Sequence, residues 1–320
     1  MGTPFSDAAG LPVADPEPVM TFSPVALPVE GRPVDLNLKV SAPATGSDLP
    51  VILLSHGNGP SNFVSSLYGY GPVANFWAAH GFVVIQPTHL DSMSLGLRDA
   101  VHPGAPLYVR SRAEDMRHII DRLDVIEDVV PGLKGRVDHS RIAAVGHSLG
   151  GHTVGLLCGQ RATDPESGEV LDLKDTRVTV GVLMAPAGKG QDLAPFALER
   201  WPILASTNFD RMTTPALVVV GDNDASPHFS ERTTWRSDAY FCSPGPKSLL
   251  TIFGGGHGLG GIANYDAAET TDENPERVAA VRALVWAYLR TALYPGDHTW
   301  ADAAAVIKSA PNPPGRIESK

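Results

Sequence analysis

Ser148 stands at the centre of Gly146-His147-Ser148-Leu149-Gly150. A serine with glycine two positions before and two after matches the elbow at which a strand turns sharply into a helix and leaves a hydroxyl exposed. Side chains at those two flanking positions would collide at the turn, and Gly151 adds room where the helix meets the sheet. A serine hydroxyl is a poor nucleophile without a base to take its proton. Chains built around this elbow supply the partners in the order serine, acid, histidine. Asp224, in Gly221-Asp222-Asn223-Asp224, and His257, in Gly254-Gly255-Gly256-His257-Gly258, follow Ser148 in that order. His257 would take the Ser148 proton and later deliver it to a leaving group, while the carboxylate orients the imidazole and stabilises its charged form. Asp222 is the alternative acid. Asp224 is preferred because the acid in such a loop normally follows the turn glycine by three positions. Either aspartate also suits an Asx-turn.

An acyl-transfer intermediate needs hydrogen-bond donors for its oxyanion. The backbone N–H of Leu149, directly after the serine, is one candidate. Asn58, in Ser55-His56-Gly57-Asn58-Gly59, is the other, with Gly59 second. His56 and His147 flank these motifs and read as structural hydrogen-bonding groups. His89 suits pocket lining and loop capping equally, and His80, His118, His139 and His298 read as surface or helix-end residues. No histidine–glutamate spacing or Cys/His cluster points to a metal, so neither metal nor other cofactor is expected. Of the two cysteines, Cys158 reads as a buried small hydrophobe; whether it pairs with Cys242 depends on a distance that sequence does not give.

The elements that must position these residues follow from hydrophobic patterning. Residues 34–40 alternate as an edge strand should. Apolar runs at 51–54, 82–85, 141–145, 178–184, 215–220 and 249–253 read as buried strands. Helices are expected at 73–80, 112–125 and 277–293. Asp224 and His257 each fall just past a strand, at the end where open α/β sheets carry their sites. Alternating strands and helices imply an α/β domain with a mostly parallel central sheet flanked by helices. The expected organisation is a Pro-rich N-terminal extension at 1–25, one domain at 26–294, and a loosely ordered tail at 295–320 rich in proline. Residues 185–212, long and without periodicity, stand where a short cap or lid could cover the site.

The 320 residues carry a net charge of −10, which argues against a nucleic-acid partner. No apolar stretch approaches about 18 residues, so no membrane span is expected. The N-terminus lacks the basic region and apolar run of a signal peptide, so a cytoplasmic location is the default expectation.

With these residues placed, the chain resembles the α/β-hydrolase superfamily, in its branch of chlorophyllase-like and dienelactone-hydrolase-related serine esterases. It is also similar to bacterial relatives of platelet-activating-factor acetylhydrolase and to polyester hydrolases. The resemblance covers about Val51 to Leu293. It is carried by Leu53-Leu54-Ser55-His56-Gly57, Gly81-Phe82-Val83-Val84, Arg112-x-x-Asp115 with Leu123, and Arg141 through Gly151. It implies an α/β-hydrolase fold and a carboxylesterase-type activity on a small to medium, apolar ester, through an acyl-enzyme on Ser148. Dienelactone hydrolases proper use a cysteine nucleophile, and Ser148 departs from that. The loop His56-Gly57-Asn58-Gly59 is also similar to that of haloalkane dehalogenases, which need an aspartate where Ser148 stands. The same residues would serve a lactonase, thioesterase, amidase or cofactor-free perhydrolase, and a non-catalytic binding protein of the same fold is the alternative of a different kind.

Overall fold

The computed structural model describes residue 11 and residues 13–99, 102–265 and 271–320. In chain order the elements are β1 (Val19–Leu27), β2 (Leu36–Pro43), β3 (Leu49–Ser55), α1 (Gly71–Ala79), β4 (Val83–Pro87), α2 (Val109–Asp121), α3 (Leu123–Val129), β5 (Val137–His147) and α4 (Leu149–Leu157). A small ribbon, β6 (Ala162–Thr163) and β7 (Val170–Leu171), precedes β8 (Val178–Met184), α5 (Pro195–Arg200), β9 (Ala216–Gly221) and α6 (Asp238–Phe241). The chain closes with β10 (Lys247–Ile252), α7 (Pro275–Leu293), α8 (Thr299–Ser309) and β11 (Gly315–Ser319).

The main sheet has nine strands in the order β1-β2-β4-β3-β5-β8-β9-β10-β11. The six central strands from β4 to β10 run parallel, and the outer pairings β1–β2, β2–β4 and β10–β11 are antiparallel. The molecule is therefore α/β with a mostly parallel central sheet flanked by helices. Apolar runs make this possible, because a strand buried on both faces needs apolar side chains at every position. In β3, Val51 and Leu53 pack on one face with α2, α3 and α4; Ile52 and Leu54 pack on the other with α1, α7 and α8. β5 divides in the same way, Ile142 and Ala144 against Ala143 and Val145. Among the described residues no helix is long and apolar enough to cross a membrane.

Three expectations change. The strand expected at the edge, β2, lies inside the sheet, because Val19–Leu27 forms a further strand outside it. The boundary expected at residue 25 therefore falls within β1; residues 1–10 and 12 lie outside the described residues. A proline such as Pro24 is tolerated on an edge strand, where its missing donor faces no partner. The tail at 295–320 is ordered. Ala303 and Ile307 of α8 pack into the helix layer on α7, and β11 pairs along β10. Its prolines mark the turn between those two elements, and Gly315 is needed because a Cβ there would lie 2.2 Å from Thr251 O. The single helix expected at 112–125 is two, α2 and α3, broken at Arg122 (φ −122°).

A cluster of buried charge ties the sheet to its helices. Arg112, on α2, is fully buried and pairs with Asp91, which is also fully buried. The guanidinium also donates to Thr153 Oγ1 of α4 (3.0 Å), to Ser55 Oγ at the end of β3 (3.2 Å), and to His56 O. Removing one partner of such a pair strands the other charge in the core. Arg112→Ala is expected to cost about 3–5 kcal/mol of stability in equilibrium urea unfolding. A loss under about 1 kcal/mol would show that the cluster does not hold these elements together.

Candidate active site

The turn at Ser148 is enforced by lack of space. β5 ends at His147 and α4 begins at Leu149, so the chain reverses within one residue. Ser148 takes φ 56° and ψ −119°, a conformation that costs an L-residue of order 1–3 kcal/mol. Its N–H donates to Met184 O on β8 (2.8 Å), which holds the turn. A Cβ on Gly146 would lie 2.2 Å from Gly150 O, and one on Gly150 would lie 2.1 Å from Ser55 O. Both glycines are therefore obligatory contacts of backbone on backbone. The hydroxyl is left partly accessible at the N-terminus of α4, where the helix dipole is positive.

Two loops at the same end of the sheet bring in the other members. His257 Nε2 lies 3.0 Å from Ser148 Oγ, and His257 Nδ1 lies 2.9 Å from Asp224 Oδ2. The loops after β9 and β10 pack so closely that a Cβ on Gly221 would lie 2.0 Å from Gly255 O. Asp222 is exposed and turned away, its carboxylate accepting the Gly254 N–H (2.6 Å). Asp224 is the residue aimed at the imidazole. It is further held by Ser226 Oγ, which donates to Oδ1 (3.1 Å), and by an ion pair with Arg236 Nε at 2.6 Å. The Arg236 guanidinium also donates to the carbonyls of Ala185 and Pro186 and to Ser226 Oγ.

These contacts set the charges. Burial would raise the Asp224 pKa, but the hydrogen bond from His257 and the positive charge of His257 and Arg236 outweigh it and hold it at about 2. Asp224 is thus ionised at neutral pH and accepts the Nδ1–H of His257, which leaves Nε2 free to accept. The His257 side chain is 39 % exposed, yet the protein around the ring partly desolvates it and, helped by the Arg236 charge, lowers its pKa below the ordinary 6.5 against the opposing pull of Asp224. The imidazole is therefore neutral, a base, at pH 7.

The remaining histidines divide as follows. His147 Nε2 donates to His257 O (2.7 Å), which leaves its Nδ1 to accept from Tyr70 Oη (2.9 Å); that hydroxyl in turn accepts the Gly57 N–H (3.0 Å). Burial holds His147 at about 3, so this chain of bonds stays neutral and links the His257 loop to the loop after β3. His56 and His89 are fully buried in the Arg112 cluster, and His89 is not among the residues lining the cavity at Ser148. Ser55 Oγ lies 3.0 Å from His89 Nε2, and His89 Nδ1 lies 2.9 Å from Asp115 Oδ2. This second serine–histidine–aspartate chain has the right distances but no access: Ser55 is fully buried. Accessibility separates Ser148 from Ser55.

Ser148 opens on a cavity of 190 Å³ whose lining includes Asn58 and Leu149. Leu149 is the first residue of α4, so its N–H has no acceptor within the helix. Gly57 N–H is already engaged by Tyr70, which leaves Asn58 and Gly59 as donors from that loop. The Asn58 side chain is tied to Asp91 Oδ2 (3.0 Å). The segment expected as a cap, 185–212, folds as short helical turns and contributes Ala187, Trp201 and Leu204 to the cavity. A roomier cavity of 540 Å³, between the loop at 29–33 and α2, contains none of the three residues. Among the described residues no group of three or more His, Cys, Asp or Glu could hold a metal, and Cys158 and Cys242 are both free thiols. Arg236, Ser226, Tyr70 and Asp91 carry no motif that sequence reading could have found; each matters only through what folding places beside it.

Gly150→Ala is expected to lower the melting temperature by the equivalent of about 3 kcal/mol, the upper end for overpacking, and to abolish labelling by a fluorophosphonate probe. Unchanged melting with full labelling would contradict the steric account of the turn. No protein-family model matches the chain, and no curated protein matches it.

Proposed function

We propose that the protein is a serine hydrolase of the α/β-hydrolase fold that cleaves carboxylic esters through an acyl-enzyme. The observation that carries this reading is the imidazole of His257 spanning Ser148 Oγ and Asp224 Oδ2 at 3.0 and 2.9 Å, with the hydroxyl opening on a cavity.

In the first half-reaction His257 Nε2 accepts the Ser148 proton as Oγ forms a bond to the ester carbonyl carbon. The carbonyl electron pair moves to oxygen, where the N–H groups of Leu149 and Asn58 and the α4 dipole stabilise the charge. The oxyanion then collapses, the bond to the leaving oxygen breaks, and protonated His257 donates its proton to the departing alcohol. Water repeats the sequence on the acyl-enzyme, with His257 again as base, and releases the acid and free Ser148. Asp224 remains ionised throughout and holds the imidazole in the tautomer with hydrogen on Nδ1. Thioesters, lactones and amides would follow the same steps.

Ser148→Ala is expected to reduce turnover of p-nitrophenyl esters at least about 10⁴-fold while leaving the circular dichroism spectrum unchanged. A fluorophosphonate adduct should map to Ser148 and not to Ser55. Turnover that survives Ser148→Ala would sink the proposal. The pH profile has a definite sign. His257 acts in its neutral form, so kcat/KM should be flat near pH 7 and fall as pH drops through a pKa below 6.5. An acid limb with its midpoint above 6.5 would contradict the assignment of His257 as base.

A further inference from the structure

The cavity at Ser148 has a direction. Its lining includes Ser148, Asn58 and Leu149 and, besides them, Trp201, Phe229 and Leu204. His257 is not part of that lining, and its side chain is 39 % exposed. The group that protonates the leaving alcohol therefore faces solvent, and the leaving alcohol must depart on that side. The acyl part is left to occupy the cavity.

Part of the lining is a stack of aromatic rings. Trp201 stacks on Phe229 with ring centroids 4.9 Å apart and planes 7° apart, and Phe229 stacks on Trp235 at 6.1 Å and 20°. Phe196 packs edge-on against Trp201 at 6.0 Å. Among the described residues of the lining the one charged group is Arg236, whose guanidinium is engaged by Asp224, Ser226 and two backbone carbonyls, so it offers little to an anionic chain. A second cavity has a volume of 100 Å³, and Trp201 and Leu107 line both. These two residues therefore border both cavities.

Resting on the ester-hydrolase reading, we infer that the acyl group is neutral, apolar and short, and that Trp201 and Leu107 set its length by closing the end of the cavity. A dry cavity of about 150 Å³ holds a six-carbon ring. The 190 Å³ at Ser148 therefore takes an acyl group of about six to eight heavy atoms. Longer chains meet the indole of Trp201 and must either displace a stacked ring or leave carbon in water. Trp201→Ala removes a side chain that borders both cavities and opens the second to the chain.

The test is a series of p-nitrophenyl esters from acetate to decanoate, measured on the wild type, Trp201→Ala, Leu107→Ala and Ala187→Leu. Specificity is read as the ratio of kcat/KM values within one protein, which does not depend on the fraction of each preparation that is folded. The wild type should fall steeply beyond chains of about six to eight carbons. The decanoate-to-butyrate ratio should rise at least about tenfold in Trp201→Ala, and in the same direction in Leu107→Ala. Ala187→Leu, which fills the cavity, should move the cut-off to shorter chains. A wild type that prefers decanoate, or a ratio unmoved in both Trp201→Ala and Leu107→Ala, would overturn the inference and leave the hydrolase reading standing. Failure of the wild type to turn over any ester would instead remove the hydrolase reading, and this inference with it.

Discussion

The site depends on one steric constraint, the contact of backbone with backbone where β5 turns into α4. Gly146 faces the carbonyl of Gly150, and Gly150 faces the carbonyl of Ser55, at distances where no Cβ fits. This packing brings the end of β3, the end of β5 and the start of α4 together without intervening side chains. The strained Ser148 conformation is tolerated because three elements over-determine it, and the Ser148 N–H is satisfied by Met184 on the next strand. The position of the hydroxyl, the free N–H of Leu149 and the nearness of the Gly57 loop all follow from it.

Around this turn the molecule carries two serine–histidine–aspartate chains with nearly the same distances. Their environments give them different work. Ser148, His257 and Asp224 meet at the mouth of a cavity, and the hydrogen bond from His257 together with Arg236 keeps Asp224 ionised. Ser55, His89 and Asp115 are sealed in the core, where burial raises the Asp115 pKa to about 6 and holds His89 well below its ordinary value. There they serve to pair donors and acceptors that would otherwise be stranded. Hydrogen-bond geometry alone does not distinguish a reactive serine from a structural one; access for a substrate does.

The buried charge cluster also reaches the site. Asp91 accepts from Arg112 on one side and from the Asn58 side chain on the other. The loop that offers an oxyanion donor is thereby anchored to α2 and, through Thr153, to α4. On the opposite side the chain Gly57–Tyr70–His147 reaches the backbone of His257. The proposed donor is thus referred to the scaffold through the buried Arg112–Asp91 ion pair, and the proposed base through a chain of neutral hydrogen bonds.

Much of this was legible in the order of residues. Apolar runs identify the parallel strands because a strand covered on both faces admits little else, and the glycine spacing around Ser148 reports a steric need that any such turn must meet. Asp224 and His257 are legible because they stand just past strands. The edge strand β1, the ordered tail and the break at Arg122 were not, since prolines and weak periodicity give the same signal in a loop as in a paired edge. Sequence by itself determined the α/β pattern and the three residues placed for chemistry, because those depend on local sterics and strand order. Only the tertiary structure decided which serine is accessible, that Arg236 backs Asp224, and that Trp201 and Leu107 line both the cavity at Ser148 and its neighbour, because those depend on contacts between segments distant in the chain.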